Sequence, residues 1–121
     1  MEFMKGEGLI KVSDIDIVRI QDKYGIEMLE NLKRFYLEHN GEKIYLCIFG
    51  DDRQYEIAKF LPLTGKNSVE RVKDNDLIDG FIPRNFIPFA RDRGGDYYYW
   101  DNDDAKIYLV RGDKLLVVNR I

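Results

Sequence analysis

The chain has 121 residues, 45% of them hydrophobic and 34% charged, with a formal net charge of −3, the balance of one soluble globular domain spanning 1–121. A mildly acidic chain disfavours direct nucleic-acid binding, which needs a basic face, and no apolar run approaches the roughly 20 residues that cross a bilayer. The single cysteine, Cys47, permits no internal disulfide, and the charged N-terminus lacks the apolar core of a signal peptide, so a cytoplasmic protein is expected.

Ser13 reads as the N-cap of a first helix, with Asp16 in the place of a capping-box glutamate. Ile17, Ile20 and Tyr24 recur at three- and four-residue steps and form one apolar stripe, which Gly25 ends. A second helix spans about Glu30 to His39, with Leu32, Phe35 and Tyr36 on one face, and Asn40-Gly41 stops it. Lys43 to Phe49 is a strand apolar on both faces and therefore central. Gly50-Asp51-Asp52 turns it into a second strand, Gln54 to Leu61, as a hairpin. Ser68 caps a short helix from Val69 to Leu77, weakly amphipathic through Val69, Val72, Asp76 and Leu77, and Phe81 to Phe89 is extended. Three strands close the chain, Tyr97 to Trp100, Lys106 to Val110 and Leu115 to Val118, joined by short turns as an antiparallel meander. The predicted class is α+β: a mostly antiparallel sheet of about five or six strands with N-terminal helices packed on one face.

The stretch Asn85 to Asp101, N-F-I-P-F-A-R-D-R-G-G-D-Y-Y-Y-W-D, organises the rest. Pro88 forbids a helix interior and one ladder hydrogen bond. Gly94 and Gly95 are both expected at positive φ. A strand follows them rather than a capped helix, so a tight turn into that strand is favoured over a phosphate cradle.

Side chains suited to catalysis or metal binding do not assemble in the sequence. His39, the only histidine, sits at a helix end and lacks the partners of a nucleophile. Cys47, inside an apolar strand, reads as a buried inert thiol. Four zinc ligands do not exist, and the aspartates of the turns lack the EF-hand glycine and glutamate. The expectation is a protein with no enzymatic activity, no metal and no cofactor.

The run I-P-F-A-x-D-x-G-G-D-x-Y-x-W-D resembles the signature of the SUKH superfamily, which contains yeast cell-wall-synthesis regulators and many bacterial immunity proteins. Tyr24-Gly25-Ile26 followed by Asn31 to Gly41 is similar to the family's helical G-I-x-L-P…N-G segment, and the two stretches with the strands between them span roughly Asp14 to Asp113. Leu29 stands where the family has proline, which is expected to loosen the start of the second helix. The family adds a helix after its last strands; the chain stopping at Ile121 leaves that cover absent or supplied otherwise.

The resemblance places Tyr98 and Trp100 in the core, with Gly41, Gly94, Gly95 and Trp100 as the structural motif. Tyr97 and Tyr99 then face the other way, either packed under a neighbouring loop or wet at a recognition surface. With Arg91, Asp92, Arg93, Asp96 and Asp101 they form the expected partner-binding set. By resemblance the chain is an immunity protein that binds and neutralises a cognate toxin, often a nuclease. The alternatives are a cytosolic scaffold binding endogenous proteins and a small hydrolase using carboxylates. A bare final strand would also allow homodimerisation through the sheet edge.

Overall fold

The computed structural model describes residues 3–4, 12–42, 46–49, 55–104, 106–112 and 114–120, with the backbone alone at 3–4, 46–49, 55 and 114–120. The predicted strand start Lys43 to Tyr45, the turn Gly50-Asp51-Asp52, Gln54 and the side chain of Cys47 lie outside the described residues. Among the described residues there are three helices, α1 (Asp14–Tyr24), α2 (Glu30–His39) and α3 (Val69–Asp79). The strands are β1 (Phe3–Met4), β2 (Leu46–Phe49), β3 (Tyr55–Glu56), β4 (Lys59–Phe60), β5 (Phe86–Arg91), β6 (Tyr97–Asp101), β7 (Lys106–Arg111) and β8 (Lys114–Arg120). They form a three-stranded sheet in the order β1-β2-β3 and a five-stranded sheet in the order β4-β5-β6-β7-β8, antiparallel at every pairing. The α+β class and the meander are as expected.

Local signals explain the helix ends. The Asp16 carboxylate accepts from the Ser13 N–H at 3.0 Å and from the Ser13 hydroxyl at 3.1 Å, satisfying a donor at the start of α1. Ser68 Oγ accepts from the Arg71 N–H at 3.2 Å and caps α3. That helix runs to Asp79, two residues past the expected end, and its buried face is Val69, Val72 and Lys73, whereas Leu77 is 45% exposed.

The predicted strand Gln54 to Leu61 is divided. β3 pairs with β2, and β4 pairs with β5 in the other sheet. Ile57, Phe60 and Leu61 are all buried. A flat strand buries alternate residues, so the chain must twist between Ile57 and Phe60 to bury both. That twist hands the segment from the small sheet to the large one.

β5 carries a bulge that sequence reading missed. Pro88 is opposite Tyr99 and Ala90 opposite Tyr98, with Phe89 extra between them. A proline inside a central strand has no N–H for the ladder, and a bulge is where it is tolerated. The carbonyl of Pro88 accepts the Tyr36 hydroxyl at 2.9 Å, which fastens α2 to the bulge. Phe89 meets Phe35 edge-to-face at 5.7 Å and Trp100 at 6.1 Å.

Register divides the large sheet into two faces, since directly opposed residues point the same way. Ile87, Trp100 and Ile107 share the inner face with Tyr98 and Leu109; all are buried and join Ile17, Ile20, Leu32 and Tyr36 of the N-terminal helices in one core. Phe86, Tyr97, Tyr99, Asp101, Tyr108 and Val110 lie on the outer face.

Candidate protein-docking face

The β5–β6 hairpin is locked at both ends by its own motif. At the diglycine end the Asp92 N–H donates to the Asp96 carbonyl at 3.0 Å, and Asp92 Oδ1 accepts the Asp96 N–H at 2.9 Å. Arg111 holds both acids, with Nε 3.0 Å from Asp96 Oδ2 and Nη2 3.4 Å from Asp92 Oδ2. Gly95 has a φ of 93°, which a side chain would resist. Gly94, expected to share that conformation, does not: only Gly95 of the pair has positive φ, because one left-handed residue suffices to reverse the chain.

At the other end Asp101 Oδ1 accepts from Asn85 Nδ2 at 2.7 Å and from the Asp103 N–H at 2.9 Å. The neighbouring Asn102 reaches the α1–α2 connection: its Nδ2 donates to the Glu27 carbonyl at 2.6 Å, and its Oδ1 accepts the Leu29 N–H at 2.9 Å. The Leu29 N–H thereby ties the start of α2 to the turn after β6. A proline there would have no N–H for this bond, and the departure from the family pattern supplies the tether.

These contacts redraw the expected partner-binding set. Asp92 and Asp101 are buried and occupied in holding the turns. Tyr99 is 2% exposed, and its hydroxyl donates to Asp76 Oδ2 on α3 at 2.8 Å. It is not a wet tyrosine: α3, not a loop, lies over it. Burial, then the Asp76 charge, pushes the Tyr99 phenol upward, with Asp79 adding to the effect. Burial likewise raises the pKa of Asp76 against the opposing effect of the Tyr99 bond. Trp100 is fully buried, as its structural assignment requires. Arg93 is exposed, 3.8 Å from Glu56; Arg91, Asp96 and Tyr97 are half-buried.

The cover over the outer face is partial. Lys73 of α3, only 3% exposed, donates from Nζ to the carbonyls of Arg84 at 2.9 Å and Phe86 at 3.0 Å. These bonds pin α3 to the start of β5, while burial of the amine lowers its proton affinity by desolvation. Beyond α3, Tyr97, Tyr108 and Val110 remain half-buried. Phe86 stacks on Tyr108 at 4.7 Å and supports it from within. Two exposed carboxylates stand at the margins of this aromatic strip: Asp79 on the Tyr99 side, and Asp104, whose charge together with that of the buried Asp101 adds to desolvation in raising the Tyr108 phenol. Asp104 has a weak contact with Lys106 at 3.9 Å. An amphipathic ring with acids at its margin suits recognition of a cationic protein surface.

Sequence reading missed Tyr108, Lys73 and Asn102. Tyr108 was marked by its place in an alternating strand, and Lys73 by falling four residues after Val69 on an apolar stripe. Nothing local marked Asn102. His39, read as structural, has Nδ1 2.7 Å from Oε2 of the buried Glu42 and its ring 5.3 Å from that of Phe35. Among the described residues no three His, Cys, Asp or Glu side chains converge on a metal-sized site, and no helix is long and apolar enough to cross a membrane.

The family model described as SMI1 / KNR4 family (SUKH-1) matches residues 11–119. No curated protein matches the sequence.

Proposed function

The chain belongs to the SMI1 / KNR4 family (SUKH-1), and on that premise we propose that it is a non-catalytic binding protein that neutralises a cognate bacterial toxin. The observation that supports this most directly is the half-open strip of Tyr97, Tyr108 and Val110 with the exposed carboxylates of Asp79 and Asp104 at its margins. The tyrosines supply rigid anchoring area and the carboxylates attract a basic surface, such as the substrate groove of a nuclease. Blocking that groove requires no chemistry from the immunity protein, only fast capture and slow release.

The test is co-purification with any toxin domain that a neighbouring gene encodes. Association is expected, and Tyr97→Ala or Tyr108→Ala should weaken it about tenfold or more. No association with any neighbouring toxin would overturn the reading, and stable capture of an endogenous cytosolic protein instead would favour a regulatory scaffold. We also propose self-association: β8 is an edge strand with no further strand beside it among the described residues, and such edges invite pairing. Light scattering that shows a monomer at every concentration would refute that part.

A further inference from the structure

We propose that Lys59 and Arg91 form a binding site for an oxyanion, a carboxylate or a phosphate, on the outer face of the large sheet at its diglycine end. Lys59 on β4 is directly opposite Arg91 on β5, which is directly opposite Tyr97 on β6. Directly opposed residues share a face, so the three side chains stand in one row across three strands. Two like charges in that relation repel each other and destabilise the pairing.

Nothing else in the described structure offsets that repulsion. Of the cations at this end, Arg111 holds Asp92 and Asp96, and Arg93 lies beside Glu56. Among the described residues no carboxylate lies within ion-pair distance of Lys59 or Arg91, and the nearby acids already have partners. The Arg91 Nε–H is buried without an acceptor, although buried donors are almost always satisfied. A group that brought negative charge and acceptor oxygens between the two side chains would relieve the repulsion and fill the vacant hydrogen bond together. The planar guanidinium favours a bidentate oxyanion, and the half-buried Tyr97 bounds the site on its far side. The site is opposite in sign to the acidic rim beside Tyr108, so it goes beyond the proposed recognition of a basic partner and stands without it.

The experiment is a heteronuclear NMR titration of the whole chain at constant ionic strength, with inorganic phosphate in one arm and acetate in the other. Saturable shifts at Lys59, Arg91 including its Nε–H, and Tyr97 are expected, and Arg91→Met should weaken binding about tenfold or more. Response to phosphate alone would assign a phosphate ligand, and response to acetate a carboxylate such as a protein side chain. Thermal melting in the absence of either anion gives a second readout: Arg91→Met and Lys59→Met should each be at least as stable as the parent, because each removes the repulsion. The proposal is overturned if neither anion shifts this row, if Arg91→Met binds as tightly as the parent, or if both variants melt earlier.

Discussion

The two faces of the five-stranded sheet are cut from the same strands yet have different fates. On the inner face Ile87, Phe89, Tyr98, Trp100, Ile107 and Leu109 are sealed under the N-terminal helices. On the outer face α3 reaches Phe86 and Tyr99, Asp101 is closed off by its bonds to Asn85 and Asp103, and Tyr97, Tyr108 and Val110 keep contact with water. One aromatic strand, Tyr97 to Trp100, serves both. The contrast separates sealed from open surface: residues of the first face hold the fold, and residues of the second are the ones the proposed partner would meet.

The largest effect should come from the sealed face. Trp100→Ala leaves a large void and should cost about 3–5 kcal/mol in denaturant unfolding. A loss below about 1 kcal/mol would show that the inner face is not the main core. Next, Lys73→Met removes the charged donor from the carbonyls of Arg84 and Phe86 and should cost about 2–3 kcal/mol by the same measurement. It should also increase amide exchange at the start of β5, since α3 would no longer be pinned there.

A pH comparison separates two carboxylates on α3. The Tyr24 hydroxyl at 2.7 Å holds Asp74 below its ordinary value of 3.8. Its contribution is present above that value and lost as pH falls through the lower folded value. Asp76 is shifted upward by burial, so it favours the folded state only below 3.8, and that advantage is lost as pH rises through its folded value. Asp76→Asn, which keeps an acceptor for Tyr99, should therefore gain in melting temperature relative to the parent as pH rises through this window. Asp74→Asn should lose over the mirror-image window. Curves parallel to the parent would refute the assignment. The smallest stability effect belongs to the open face: Tyr97→Ala should change unfolding by no more than about 0.5–1 kcal/mol while weakening partner capture. If it unfolds the domain, the outer face is core and the comparison fails.

The sequence by itself determined the helices through their ends, because capping acts over three or four residues: Ser13 with Asp16, Ser68 with Arg71, and the stop at Asn40-Gly41. It also determined the α+β class and the meander, and it put Tyr98 and Trp100 on one face, because strand alternation is a two-residue rule; that this face is the inner one came from the family resemblance. Tertiary structure decided whether the opposite face was covered. Tyr99 is closed off by an acid 23 positions away in the chain, and Asn102 meets Glu27 across a separation of 75. The bulge at Pro88, the handover between β3 and β4, and the unpaired Lys59–Arg91 row likewise arise from which strands come to lie side by side. Local preference says which way a side chain points; only the assembled neighbours set what it meets there.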